Sequence, residues 1–235
     1  MSHQIRALPE NHLLAVLPAA DQRRLLAHRE PVELSLSDTL SEPGERTRYV
    51  LFPIDSVISL ITVIDPRTQL EVGLVGNEGM LGIALVLGMS ASPLRALVQS
   101  AGRAWRIDAA DFSHQLERSP ALRRGLNRYV YVLLSQLART AACTRYHFVE
   151  ARLARWLLMT RDRVHADQFH VTHEFLAYML GVRRVGITRA ASVLQQRKLI
   201  RYRRGELEIL DGHGLEATAC ECYAALRDTY VRVLG

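Results

Sequence analysis

Thr172 to Arg204, THEFLAYMLGVRRVGITRAASVLQQRKLIRYRR, constrains this chain more than any other stretch. Thr172 can cap a helix by accepting from an unpaired first-turn amide, and Phe175, Leu176, Met179 and Leu180 follow at helical spacing. Gly181 then offers the backbone freedom that a sharp turn needs. After Val182, the positions Val185, Ile187, Ala190, Ala191 and Leu194 predict a second amphipathic helix that buries them and runs to about Arg197. Two short helices about a tight turn make a helix-turn-helix. Beyond it, Ile200 to Tyr202 and Leu207 to Leu210 flank RRGE and predict a β-hairpin wing.

Charge says what such a unit is for. Phe175 through Gly205 contains no Asp or Glu, yet it carries Arg183, Arg184, Arg189, Arg197, Lys198, Arg201, Arg203 and Arg204. A merely solvated helical face mixes signs. A one-sign run over a helix-turn-helix suits a surface that displaces counterions from phosphates, so double-stranded DNA is the expected partner. The net charge of +6 agrees.

A length of 235 residues suits one large or two modest domains, and 49% apolar content suits a globular chain. Three cysteines, Cys143, Cys220 and Cys222, are too few and scattered for a disulfide framework and point to a reduced, cytoplasmic compartment. The opening MSHQIRALPENHLLAVL lacks the pattern of a signal peptide. The apolar run MLGIALVLGM at 80–89 falls well short of the ~18 residues of a membrane span. No membrane partner is expected.

Asn11 to His28 reads as two short helices split at Pro18. From Pro31 to Ile107 the pattern becomes strand-like, with segments at Val32 to Leu36, Tyr49 to Phe52, Ser56 to Ile64, Gln69 to Val75 and Arg95 to Ile107. SEPGE, FPID, DPRT and VGNEG separate them, which suggests a β-sandwich or jelly-roll barrel. Helix returns near Asp108 and holds from about Pro120 to Thr144. There Leu126, Val130, Leu133 and Leu137 take the alternating 4-3 spacing of a coiled-coil seam, continued by Thr140 and Thr144, and predict a homodimer contact. A helix packed on its own barrel would show the same stripe. Val149 to Met159 is a further amphipathic helix opening the C-terminal part, Arg161 to Gln168 a link, and Gly214 to Leu234 a closing helix.

This order of elements resembles the Crp/Fnr family of bacterial transcription regulators over nearly the whole chain, most specifically from Thr172 to Leu210. The resemblance implies an α+β fold: an N-terminal jelly-roll β-roll of the cyclic-nucleotide-binding kind at 1–118, a central dimerisation helix at 119–146, and a winged helix-turn-helix at 147–235. In that family the recognition helix reads bases through Arg-Glu-x-x-x-Arg. With the turn glycine on Gly181, these positions fall on Arg184, Val185 and Arg189. An arginine fork can donate twice to guanine O6 and N7, whereas Val185 cannot accept from a cytosine amine and suits a thymine methyl instead. Thr172, Arg183, Arg201 and Arg203 are the expected phosphate contacts. The resemblance further implies a dimer on a palindromic site, with RNA polymerase as a second partner.

The sensor half departs from the family pattern. In NEGMLGIALVLGMSASPLRALVQ, Glu78 precedes Gly79 rather than following it, and Ser92, Pro93 and Leu94 replace the Arg-Ser/Thr-Ala run. Pro93 removes an amide that a cyclic phosphate would want. Cyclic AMP is therefore not expected, even with Arg95 nearby, and an effector, whether small molecule or redox signal, stays unassigned. No metal or other cofactor is expected either. An iron–sulfur cluster takes about four thiolates, and no cysteine precedes Cys143. Cys220-Glu-Cys222 on a helix would point its thiols apart, and His165, His170 and His173 have no metal-binding spacing. A cupin-like metal enzyme would need histidines on the strands, and Pro31 to Ile107 contains none. An enzyme is not expected, and the acid-free run argues against a mere protein-interaction module.

Overall fold

Asn11 starts the described part of the chain, for the computed structural model describes residues 11–65 and 68–235. The first ten residues of the segment read for a signal peptide, and Pro66 and Arg67 of the DPRT turn, lie outside the described residues. The Asn11 carboxamide accepts from Leu13 N at 3.1 Å and so caps α1 (His12–Ala15). Pro18 separates α1 from α2 (Ala19–Leu26). Then follow β1 (Arg29–Leu34), β2 (Thr39–Ser41), β3 (Tyr49–Pro53), β4 (Val57–Asp65) and β5 (Thr68–Val75). A 3-10 turn at Ile83–Leu87 precedes β6 (Arg95–Ser100), β7 (Gly102–Asp108), α3 (Ala109–Arg118) and α4 (Pro120–Tyr146). The remainder is α5 (Val149–Val164), β8 (Gln168–His170), α6 (His173–Leu180), α7 (Arg184–Gln196), β9 (Ile200–Arg203), β10 (Glu206–Ile209), α8 (Gly212–Thr218) and α9 (Cys222–Leu234).

The chain divides into two units, Met1–Ile58 with Val75–Val130, and Ser59–Leu74 with Tyr131–Gly235. The first is a β-rich body in which β7 lies antiparallel between β1 and β3. Phe52, Ile107 and Phe112 are buried in it, with the two phenyl rings 6.3 Å apart. The single strand expected from Arg95 to Ile107 is in fact two. The chain breaks at Ala101–Gly102, where a Cβ on Gly102 would meet the Asp55 carbonyl at 2.8 Å, and Asp55 accepts from Arg103 N at 2.5 Å. β6 then pairs with β2, and β7 with β1 and β3. Apolar periodicity runs unbroken through this corner because both strands bury a face, so it carried no mark of the change of partner.

In the second unit, Gln136 of α4 grips the main chain of β5, its Oε1 accepting from Leu74 N at 2.7 Å and its Nε2 donating to Leu74 O at 3.3 Å. Glu71 of β5 is buried, accepting from Ser59 Oγ at 2.6 Å and from Trp156 Nε1 of α5 at 2.8 Å. Three expectations need correction in this unit. α5 continues past Met159 to Val164 and absorbs much of the expected 161–168 link. The wing hairpin gains a third strand, in the order β8-β10-β9. The closing helix is two helices, parted by extended backbone at Ala219 (φ −64°, ψ 153°).

The expected dimer seam also changes. Leu126 and Leu133 are only 1% and 4% exposed, and Thr140 is buried with them, so this half of the stripe packs inside the protomer. Val130 and Leu137 are half-buried at its margin. The exposed positions of α4 include Tyr131, Leu134, Ala138 and Ala141, which keep the same alternating 3-4 spacing one residue further on. One residue turns a helix by about 100°, so the two stripes face different surroundings. Spacing reveals a stripe without saying what covers it. No helix among the described residues is long and apolar enough to cross a membrane.

Candidate nucleic-acid interface

The helix-turn-helix is positioned by its own caps and core. Thr172 Oγ1 accepts from Phe175 N at 3.1 Å and starts α6, whose Leu176, Met179 and Leu180 are buried. Phe175 sets its ring edge-on to Trp156, with centroids 6.4 Å apart. Gly181 ends α6 in the left-handed region at φ 62°. Arg183 is the extended N-cap of α7, and no side chain closes that helix end.

α7 buries Ile187, Ala190, Ala191 and Leu194, as their spacing predicts. Val185 is the exception. It is 54% exposed and lies beside Arg184. A helix beginning at Arg184 turns 187, 190, 191 and 194 inward and leaves 184, 185, 188 and 189 outward, so Val185 cannot join the buried set. Arg184, Val185, Thr188 and Arg189 are all exposed, with Ser192 half-buried one turn on. The three expected base-reading positions thus share one surface.

Sequence reasoning missed the residues that support this surface. Thr188 Oγ1 donates to Arg184 O at 3.1 Å and lies 3.1 Å from His173 Nδ1. The His173 ring stacks on Tyr202 at 4.5 Å, nearly parallel, and Tyr202 donates its hydroxyl hydrogen to Val171 O at 2.6 Å. Burial, then the charge of Arg184, hold His173 below the ordinary imidazole value and so favour the neutral ring. The one available signal was Thr188, four residues after Arg184 on the same helix face.

The wing turns at Arg204 and Gly205, whose φ values of 53° and 87° are both positive, as a two-residue hairpin turn requires. Arg203 and Arg204 are exposed there. Of the expected phosphate contacts, Arg201 sits in an ion pair with Glu208 at 2.6 Å, and the Thr172 oxygen serves as a cap. Arg197 pairs with Glu150 at 3.1 Å. Among the described residues, Arg183, Arg184, Arg189, Lys198, Arg203 and Arg204 form no ion pair. The acid-free run thus leaves these six cations without a carboxylate partner, while Arg197 and Arg201 are neutralised by Glu150 and Glu208 from outside it.

Elsewhere, Arg95 of the sensor half pairs with Glu42 at 3.0 Å, and Ser92 Oγ accepts from Leu94 N at 3.1 Å. His165, His170 and His173 do not converge: His165 ends α5, His170 pairs with Glu206 at 2.8 Å, and His173 stacks on Tyr202. The cysteines do converge, against the expectation that no metal set exists and that Cys220 and Cys222 point apart. The ligand atoms of Cys143, His147, Cys220 and Cys222 lie within 4.8 Å of one another. The Cys220 thiol, opposed by burial and helped by His147 and Arg155, holds the Cys143 thiol below the ordinary cysteine value.

Residues 151–218 match the family model of the Crp-like helix-turn-helix domain. No curated protein sequence matches the chain. Solved structures do. The c-di-GMP responsive global regulator CLP of Xanthomonas campestris aligns with a TM-score of 0.67 at 19% identity, over 82% of this chain and 99% of its own. FixK2 from Bradyrhizobium japonicum gives 0.70 at 11% identity, over 82% and 98%. The transcriptional regulator TTHA1359 of the CRP/FNR family from Thermus thermophilus gives 0.66 at 22% identity, over 81% and 98%. Likeness at such identities speaks to fold, and the expected α+β architecture, a β-rich N-terminal part, a long helix and a winged helix-turn-helix, is the one found. This chain has the fold of the Crp/Fnr regulators, and its residues 151–218 are a Crp-like helix-turn-helix domain.

Proposed function

We propose that this protein is a homodimeric transcription regulator that reads a palindromic DNA site with α7 in the major groove. One observation carries the reading: a single exposed helix face bears Arg184, Val185, Thr188 and Arg189, and its two arginines, with Arg183, Lys198, Arg203 and Arg204, form no ion pair among the described residues. Arg184 and Arg189 are long enough to reach base edges, and Val185 between them offers an apolar contact for a thymine methyl. Arg183, at an uncapped helix N-terminus, and Arg203, at the wing tip, hold the phosphates, because unpaired amides and guanidinium forks both favour them. Thr172 and Arg201 belong to the same phosphate-facing set, Arg201 exchanging Glu208 for a phosphate on binding.

The dimer forms along the exposed stripe Tyr131, Leu134, Ala138 and Ala141 of α4, with Val130 and Leu137 at its edge. Leu126 and Leu133 support the stripe from inside the protomer. Such a dimer sets two recognition helices about one helical turn of DNA apart, roughly 34–36 Å. Activation or repression through RNA polymerase follows from the same reading, and so does gating by an effector, which must bind the two dimer arrangements unequally. The protein then works by binding rather than by catalysis.

Selection of bound duplexes from a random DNA pool, with no added effector, tests this. The expected result is a palindrome with half-sites 10–10.5 base pairs apart, roughly one turn, whose affinity falls steeply with salt. Absence of binding at low salt, or binding indifferent to salt, refutes the reading.

A further inference from the structure

Cys143 in the last turn of α4 and His147 just past its end stand four residues apart, with His147 N donating to Cys143 O at 3.1 Å, so both face the same side. Cys220 and Cys222 come from the other end of the C-terminal domain, 77 residues after Cys143 for the nearer of them. The extended backbone at Ala219 ends α8, and α9 starts only at Cys222, so Cys220 is free of helical geometry and both thiols turn toward α4. All three cysteines are buried and free. They form one cluster with Ala151 packed against it.

Three independent features of this cluster suit a metal ion. The first is distance. Cys143 Sγ lies 3.5 Å from Cys220 Sγ, and Cys222 Sγ lies 3.7 Å from His147 Nδ1. Tetrahedral zinc with Zn–S about 2.3 Å and Zn–N about 2.0–2.1 Å separates its ligand atoms by roughly 3.6–3.8 Å. A disulfide would need about 2.05 Å. The second is the outer shell. His147 Nε2 lies 3.0 Å from Glu221 Oε1. A ring that donates from Nε2 to a carboxylate keeps the Nδ1 lone pair for a metal, and this is how ligating histidines are commonly oriented. The third is charge. Arg155 is buried beside the thiols, donating to Thr140 Oγ1 at 3.0 Å while its Nε has no partner. Three thiolates around one Zn²⁺ sum to a single negative charge, and a buried guanidinium needs such a partner.

We propose that Cys143, His147, Cys220 and Cys222 bind one zinc ion in a closed Cys₃His site, with Glu221 orienting the histidine. Borderline-soft thiolate and imidazole donors in tetrahedral array favour zinc over harder cations, and a closed set of four protein ligands is the structural kind of site. Two ligands precede and two follow residues 151–218, so the ion clamps the two ends of the DNA-binding domain to each other. Closing so long a loop restricts the unfolded chain, and that is the role of the clip.

The full chain, purified without chelators, is analysed for bound metal by plasma mass spectrometry and for reactive thiols. About one zinc per chain is expected, and cobalt in its place should give thiolate-to-metal charge transfer with the intense visible bands of a tetrahedral ion. Cys222→Ser and His147→Ala should lose the ion. Glu221→Gln, a change at an exposed side chain, should keep the stoichiometry with affinity about 10–100-fold weaker, and circular dichroism should confirm that it is folded. The proposal is overturned by a folded wild-type chain that binds no zinc when zinc is supplied. It is overturned equally by zinc retained in both ligand variants, by an unchanged affinity in Glu221→Gln, or by a Cys143–Cys220 disulfide in the purified protein.

Discussion

Glu71 makes the stability of the second unit depend on pH, in the sense opposite to an ordinary salt-bridged carboxylate. Burial is the largest influence on it and pushes its pKa from 4.5 to about 7, against the hydrogen bonds from Ser59 and Trp156 and the charges of Arg155 and Arg163. In the unfolded chain the carboxyl ionises near 4.5, whereas in the fold it keeps its proton to about 7. Below 4.5 both states are protonated and the burial costs nothing. Between 4.5 and 7 the unfolded state loses a proton that the folded state retains, and stability falls by about 1.4 kcal/mol per pH unit. Above 7 the loss is complete, at roughly 3 kcal/mol.

Glu71→Gln removes this ionisation and keeps the shape. Its amide oxygen can still accept from Trp156, and its nitrogen can donate to Ser59 Oγ. Urea midpoints at a series of pH values from 4 to 8 should therefore show the variant close to the wild type at the acid end and more stable by up to about 3 kcal/mol at pH 8. Trp156 fluorescence reports the transition locally, because its indole nitrogen is bonded to the titrating group. Parallel midpoint curves for the two proteins across that range would refute the reasoning. So would a gap that widens toward acid, which would mean that Arg155 and Arg163 outweigh the burial.

Other expectations follow from individual side chains. Leu134→Asp should yield a folded monomer in sedimentation, whereas Leu133→Asp, at a 4% exposed position, should cost roughly 4 kcal/mol or more and unfold the chain; a folded, dimeric Leu134→Asp would rule out the outer stripe. Arg184→Ala should lose about 1–3 kcal/mol of DNA affinity and relax preference at one base pair in competition titrations. Arg203→Ala should weaken all sequences alike and lower the salt slope by about 1; a change in sequence preference instead would make it a base reader. Gly181→Ala should destabilise by about 1–2 kcal/mol, measured by chemical unfolding, because an L-residue is strained at φ 62° and its Cβ would lie 3.0 Å from Leu70 Cδ1.

Local chemistry was legible in the sequence, and long-range partnership was not. Thr172, Gly181 and the inward set Ile187, Ala190, Ala191 and Leu194 act within a few residues of themselves, so spacing alone placed both helices of the motif. The 4-3 stripe at Leu126 and Leu133 was equally visible, but the same period suits a core and a seam, and only the surrounding elements decide between them. The corner at Gly102 depends on the close approach of Asp55, 47 residues earlier, which no periodicity records. The cysteine cluster is the most instructive case. A helix assigned across 214–234 makes Cys220 and Cys222 point apart, and on that footing the pair does nothing. The extended residue Ala219 breaks that helix, and Cys220 and Cys222 then meet Cys143 of α4 and His147 just past its end.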